Sequence, residues 1–485
     1  MGTQARELRV IVIGAGMAGI LSAIKLRETG IGDVVVYEKA DRLGGTWREN
    51  TYPGIACDVP SHLYSYSFAL NPDWSQSFSE GAEIQAYFER VAEEHDVVPL
   101  IRFGEEVTGC EWRDGRWHLS TAAGTRDEAD VVIAATGVLH HPKYPDIDGL
   151  DDFAGACFHS ARWDHSVDLD GARVGVIGTG STAVQITGAL VDRVAHLSVF
   201  QRTAQWIAPL DNPPYDEETR RLFREDPERL RGVHDSLSVA FEGFSLCVVD
   251  ADSPAMAAVE KACRDNLENS VTDPDLRERL RPDYRAGCKR LVLSDNFYEA
   301  IQKPQAELVT EPIERVEAGG VRTRDGRLHE LDVLVLATGF HADAFMRPMG
   351  VVGRNGTELA DVWADRPTAY LSISIPEFPN LFLLNGPNGP VGNFSLIEVA
   401  ELQLAYVLQL VDRLRSGECT EISATQAATD DFEDQRLEAS RNTIWATGCT
   451  SWYLDDRGVP AVWPFPFARF REEMAAPDLG AYEQV

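Results

Sequence analysis

The stretch RVIVIGAGMAGILSAIKL, residues 9–26, carries the reading of the fold. A short apolar strand runs into Gly14-x-Gly16-x-x-Gly19, and a helical pattern follows. The glycines permit a tight turn, close approach of the backbone to a pyrophosphate and close packing of the helix, whose N-terminus receives the phosphate. Working outward, the apolar strand VVVYEK ends in Glu38, nineteen residues past Gly19, where a carboxylate accepts hydrogen bonds from ribose hydroxyls. The competing explanation is a tight strand-to-helix turn with a surface glutamate.

The same pattern returns in ARVGVIGTGSTAVQIT, where Gly178, Gly180 and Ala183 each lie 164 residues after Gly14, Gly16 and Gly19. Alanine suffices at the third position, which needs only a small side chain against the strand. Ser181 and Thr182 open the second helix. The same offset applied to Glu38 lands on Arg202, followed by Thr203. A carboxylate there would repel a 2′-phosphate, whereas a guanidinium grips it with charge-assisted bonds. The first loop is therefore predicted to hold FAD and the second NADPH. The competing explanation for Arg202 is a solvated arginine at a strand end.

A third echo closes each unit, DVVIAATG at 130–137 and DVLVLATGF at 332–340. The first unit runs 123 residues from Gly14 to Gly137 and the second 161 from Gly178 to Gly339, so the second carries an insertion of 38. The charged, amphipathic stretches DEETRRLFREDPERLRG and TDPDLRERLRPDY place it in 206–287. The predicted architecture is an α/β fold with two Rossmann-like dinucleotide-binding domains, for FAD and for NADPH, the second nested in the first. Its parts are an FAD domain over 1–142, an NADPH domain over 148–205 and 288–340 with the helical insertion between, and a return to the FAD domain over 341–485.

A chain of 485 residues exceeds what one core serves. Its 77 acidic against 45 basic residues give −32, a field that repels polyphosphates and anionic membranes, so neither nucleic acid nor a membrane is an expected partner. No run of 18 apolar residues occurs, and the reading is cytoplasmic. The eight cysteines form no Cys-x-x-Cys, and most read as small buried hydrophobes. No metal site is predicted, because His159 and His165 lack a carboxylate or cysteine set with ligand spacing.

Two further stretches carry a family resemblance. FAGACFHSARWD, residues 153–164, has Phe153, Gly155, His159, Trp163 and Asp164 in the pattern F-x-G-x-x-x-H-x-x-x-W-[P/D], and GGTWRENTYPGIACD carries Gly45, Trp47, Tyr52, Pro53, Gly54 and Asp58 of a second signature. With both signatures and two dinucleotide loops, the chain resembles the type I Baeyer–Villiger monooxygenases of the class B flavoprotein monooxygenases over nearly its whole length. The resemblance implies an NADPH- and O2-dependent enzyme that inserts one oxygen atom next to a ketone carbonyl, giving an ester or lactone through a C4a-peroxyflavin. It implies Arg290, in YRAGCKRLVLSDNFYEA, as the catalytic arginine, Asp58 as the carboxylate that orients it, and Lys289 as a partner of Arg202 on the 2′-phosphate. It makes His159 part of the connection that adjusts the domains during turnover, not a general base. Gly45, Thr46 and Trp47 would adjoin the flavin. The aromatic SWYLDDRGVPAVWPFPFARF and the glycine-rich LLNGPNGPVGNFSLIE, residues 383–398, would shape the substrate cavity. Ala183, where many members have glycine, departs from the pattern.

Three rivals remain in view. A flavin monooxygenase that oxidises sulfur or nitrogen of a small molecule shares the loops. A pyridine-nucleotide disulfide reductase needs a cysteine pair beside the flavin, and Cys57 has no partner closer than Cys110. A flavin-binding redox sensor needs no Arg290. The sequence leaves the particular ketone and the oligomeric state open.

Overall fold

The computed structural model describes residues 6–392 and 394–485; the first five residues of the FAD domain and Asn393 of the 383–398 loop lie outside the described residues. Two five-stranded parallel sheets organise the chain. The first has the order Leu381–Leu383, Val131–Ala134, Arg9–Ile13, Asp33–Tyr37, Ile101–Arg102. The second has the order Ala306–Val309, His196–Phe200, Arg173–Ile177, Val333–Leu336, Ala156–His159. In both, the strand before the glycine loop is central, flanked by the strand that ends in Glu38 or precedes Arg202 and by the strand that ends in Ala-Thr-Gly. The nesting is visible in the register: after the second sheet is complete the chain returns, and Leu381–Leu383 pairs with Val132–Ala134 of the first.

The central strands are nearly continuous apolar runs, as parallel strands covered on both faces must be. Val10, Val12, Ile133 and Phe382 pack with Ile20 and Leu21 of the helix Met17–Glu28 and with the long helix Leu396–Ser416. Val174, Val176, Val199 and Val335 pack with Ile186 and Leu190 of the helix Ser181–Leu190.

The closing strand of each unit is preceded by an antiparallel meander that the sequence reading does not single out. Val107–Arg113, Arg116–Thr121 and Arg126–Ala129 form one, and Ile313–Glu317, Gly320–Thr323 and Leu328–Glu330 the other. The helices Glu217–Glu225, Pro227–Val249, Pro254–Ser270 and Pro274–Arg279 stand between His196–Phe200 and Ala306–Val309. Each begins at an aspartate or serine whose side chain accepts a backbone N–H, and three have proline in the first turn. Ile207–Pro209 and Val292–Ser294 pair in parallel at the base of this helical segment, which sets Lys289 and Arg290 just before a strand.

Candidate active site

Both glycine loops have the geometry of an anion cradle. Gly14 (φ +102°) and Gly178 (φ +129°) hold a conformation open to glycine, and a side chain on either would strike the carbonyl of Ala135 or Ala337. The helices that follow start at Gly16 and Gly180 with no side-chain cap, so their first N–H groups are free for a phosphate. A Cβ on Gly180 would meet no protein atom within 4 Å, and one on Gly16 would meet only Gly45 at 3.6 Å. At the third position, a side chain on Gly19 would sit 1.8 Å from the Gly14 carbonyl, while Ala183 is packed at 1% exposure. The second helix stands far enough from its loop to admit a methyl group.

Glu38 is 4% exposed and held by the protein itself. Its carboxylate accepts the N–H groups of Ala15 (2.8 Å) and Ala40 (3.0 Å) and an Arg48 Nη1–H (2.8 Å), and its remaining lone pairs suit ribose hydroxyls. Arg48 belongs to the helix Thr46–Glu49, which begins at Gly45 against the back of Gly16. This partner of Glu38 was not foreseen, because nothing in the 38–48 spacing announces it.

Arg202 follows the strand His196–Phe200, is exposed, and makes no hydrogen bond or salt bridge to another described residue. Lys289 lies close by. Its ammonium sits 4.5 Å from the Tyr284 ring centre, and its pKa is lowered by desolvation and further by the Arg202 charge, against the pull of Asp283. The Tyr284 hydroxyl bonds the Ala204 carbonyl (3.0 Å) and Gln205 Oε1 (2.7 Å), which ties the two cations' segments together. Thr203 contributes its carbonyl to the Thr179 hydroxyl at 2.7 Å.

Asp58 and Arg290, 232 residues apart, form a bidentate pair: Nε–H donates to Oδ2 at 2.8 Å and Nη2–H to Oδ1 at 2.7 Å. Desolvation pulls the arginine's pKa down, but the charge and hydrogen bonds of Asp58, with Tyr453 and Cys57 beside it, together more than reverse this and keep the guanidinium cationic. The pair joins both cradles. Asp58 ends the loop that starts at Gly45, packed against Gly16, and Arg290 adjoins Lys289. That loop also docks on the second domain: the Tyr52 hydroxyl donates to Gln185 Oε1 (2.8 Å), and Gln185 Nε2–H donates to the Ala56 carbonyl (3.0 Å). Gly54 (φ +82°) leaves no room for a side chain against the Gln185 carbonyl, at 2.6 Å. Trp47 donates its Nε1–H to the Tyr64 hydroxyl at 3.2 Å and is packed edge-on to that ring.

His159 ends the edge strand Ala156–His159 at 1% exposure. Its Nδ1 accepts the Ala161 N–H at 3.1 Å, its Nε2 is unpartnered, and its ring packs on Tyr144 and Phe340, one from each linker between the domains. Desolvation lowers its pKa to about 4, so the ring is neutral at physiological pH. Its contacts are with the linkers, not with Asp58 or Arg290.

Most of the cysteines are buried as expected, and one pair was not foreseen. Cys57, Cys110, Cys247, Cys263 and Cys419 are buried free thiols, but Cys157 is exposed and Cys288 is disulfide-bonded to Cys449. A pair 161 residues apart has no local spacing to betray it. Cys57, next to Asp58, remains single.

Two nucleotide cradles joined by a charged arginine define an oxidoreductase that handles two dinucleotides. A family described as pyridine nucleotide-disulphide oxidoreductase matches residues 11–216. The chain is 49% identical to an uncharacterized monooxygenase of Mycobacterium tuberculosis, over 96% of this chain and 94% of the relative. It is 40% identical to a Baeyer–Villiger monooxygenase of Streptomyces coelicolor, over 98% of this chain and 92% of that protein. The solved complex of the protein OTEMO with FAD and NADP superposes with a TM-score of 0.89 at 27% identity, covering 99% of this chain and 100% of that one. The chain belongs to the Baeyer–Villiger monooxygenase family.

Proposed function

We propose that this monooxygenase acts on ketones, and that Arg290, oriented by Asp58, is the residue that makes oxygen transfer to the carbonyl productive. The reaction is a ketone, O2, NADPH and a proton going to an ester or lactone, NADP+ and water. FAD, once bound, supplies the redox chemistry, accepting hydride from NADPH and reacting with O2. The protein's part is to place and stabilise. The Gly14–Gly19 loop and Glu38 would hold the diphosphate and ribose of FAD. Gly178, Gly180, Ser181 and Thr182 would hold the NADPH diphosphate, with Arg202, Thr203 and Lys289 around its 2′-phosphate. Thr46 and Trp47, behind Gly45, would form the wall between the two.

The observation that carries the reading is the Asp58–Arg290 pair. Its Nε and Nη2 are spent on Asp58, so the guanidinium plane is fixed while a full positive charge remains for an oxygen that gains negative charge during the reaction. A lone arginine would keep the charge and lose the aim. His159 would serve the joint between the domains, since both linkers meet its ring.

The setting proposed is the cytoplasm, where NADPH is supplied. Among the described residues no helix is long and apolar enough to cross a membrane. A net charge of −32 argues against a nucleic-acid partner. The test is a panel of cyclic, aryl and aliphatic ketones with protein, FAD, NADPH and O2, with products identified by mass spectrometry. Ester or lactone carrying one 18O atom from 18O2 supports the reading; NADPH oxidation with no oxygenated ketone product across the panel contradicts it.

A further inference from the structure

The Cys288–Cys449 bond joins the segment that carries Lys289 and Arg290 to the aromatic segment that follows residue 449. Its surroundings are apolar, with Met256, Ile444, Trp445, Tyr453 and Val462 packed about it. Tyr453, four residues beyond Cys449, is 2% exposed and its ring packs on Trp445 and Trp452. The Ala461 N–H donates to the Tyr453 carbonyl at 2.7 Å, and Leu454 bridges to Pro460, so the residue sits at the base of a closed loop. Its hydroxyl is seated over Gly392, 1.9 Å from where a Cβ would stand, which only glycine allows. The cross-link sets the Tyr453 segment beside that of Arg290, and the arginine's charge opposes the upward pull of burial on the phenol's pKa. Arg290 is thus held on one side by Asp58 and walled on another by Tyr453, and the disulfide fastens that wall to the arginine's own segment.

We propose that the Cys288–Cys449 cross-link seats Tyr453 against Arg290 as a positioning residue, so that the thiol–disulfide state of the pair sets what share of NADPH consumption ends in oxygen transfer rather than in hydrogen peroxide. The inference rests on the role given to Arg290 above. Opening the bond adds two electrons and two protons and leaves two thiols. The two segments then lose their covalent tie. The Asp58 bonds persist, so charge and cofactor binding survive while the wall beside the guanidinium loosens. Misplacement of this kind penalises the step that needs aim and spares hydride delivery.

The experiment uses the FAD-loaded protein. Peptide mapping by mass spectrometry without reductant finds the 288–449 cross-linked peptide. A phosphine then opens it, giving two electrons to the bond and taking oxygen from water as it becomes its oxide, and glutathione disulfide closes it again by exchange, releasing two glutathione thiols. Ester formed and hydrogen peroxide released per NADPH are measured in each state, alongside anaerobic reduction of FAD by NADPH. The expected result is a roughly tenfold fall in ester per NADPH for the reduced protein, for Cys449→Ser and for Tyr453→Phe, a part of the roughly 100-fold that misplacement by about 1 Å can cost. FAD content and reduction rate stay within about twofold, and the Cys449→Ser/Tyr453→Phe double variant is no worse than the poorer single. Re-oxidation restores the parent and not Cys449→Ser. Unchanged coupling in a protein shown to be reduced, or losses that multiply in the double variant, overturns the proposal. A protein that makes no ester from any ketone fails the functional reading first and takes this proposal with it; one that makes ester at the same coupling in both states overturns this proposal alone.

Discussion

The two nucleotide units share a strand order and a loop but differ at the residue that follows the second strand. Glu38 is buried and already held by Ala15, Ala40 and Arg48, whereas Arg202 is exposed and unengaged. A prebuilt, desolvated acceptor suits a cofactor that stays, because its ordering cost is met once, at folding. An exposed guanidinium beside a lysine suits a phosphate that arrives and leaves in every cycle. Under the proposed assignment one fold would serve a resident and a visitor, and the distinction would lie in how far each recognition residue is committed before the ligand binds.

The largest effects test the cradles against each other. Gly16→Val should give colourless, FAD-free protein, since the branched side chain fills the space the diphosphate needs. Gly180→Val should stay yellow and lose NADPH binding. Absorbance of purified protein and NADPH titration followed by flavin reduction separate the two, and the reverse pattern would mean that the sites are exchanged.

Next in size, Arg202→Ala should cut the preference for NADPH over NADH by about 10- to 100-fold, the worth of charged hydrogen bonds of roughly 1.5 to 3 kcal/mol. Steady-state kcat/KM with both nucleotides measures it. Unchanged selectivity would remove Arg202 from the phosphate site and break the contrast with Glu38. Lys289→Ala should act in the same direction but more weakly, and a rise in salt should narrow the gap between parent and variants.

The smallest effect on turnover belongs to His159. Its pKa is lowered by burial to about 4, against an unfolded value of about 6.5, so folding favours the neutral ring. The stability this contributes is complete above pH 6.5 and is lost as pH falls toward 4. At pH 5 the linkage amounts to about 2 kcal/mol. Urea unfolding at pH 5 and 7.5 should show that His159→Gln loses less between the two than the parent does, while the ketone rate profile shows no His159 titration between pH 6 and 9.

Much of this was legible in the chain because the constraints are local. Gly14, Gly16, Gly19 and Glu38 lie within one strand–turn–helix–strand span, so their spacing is set by chain geometry, and a constant offset of 164 carries it to Gly178, Gly180, Ala183 and Arg202. The nesting follows from repeated Ala-Thr-Gly strand ends, and the sheet order bears it out. What stayed hidden depends on contacts between distant segments. Arg48 reaches Glu38 only because the Gly45 turn folds back on Gly16. Tyr453 is one aromatic among many in 451–470 until the fold sets it over Gly392. The meanders alternate too briefly between charged faces to stand out from loop sequence. Asp58 and Arg290 were joined by resemblance, and no period in the chain links residues 232 apart.

The central claim is that the two cradles feed one fixed positive charge, which acts on oxygen transfer and not on hydride delivery. The measurement that tests it most directly is the ratio of the two rates in Arg290→Ala: anaerobic stopped-flow reduction of bound FAD by NADPH, then ester formation after mixing with oxygen and ketone. The account predicts reduction within about tenfold of the parent, since Arg202 and Lys289 still hold the nucleotide, and ester formation lower by about 100- to 1,000-fold. Ester formed at the parent rate by Arg290→Ala would contradict it.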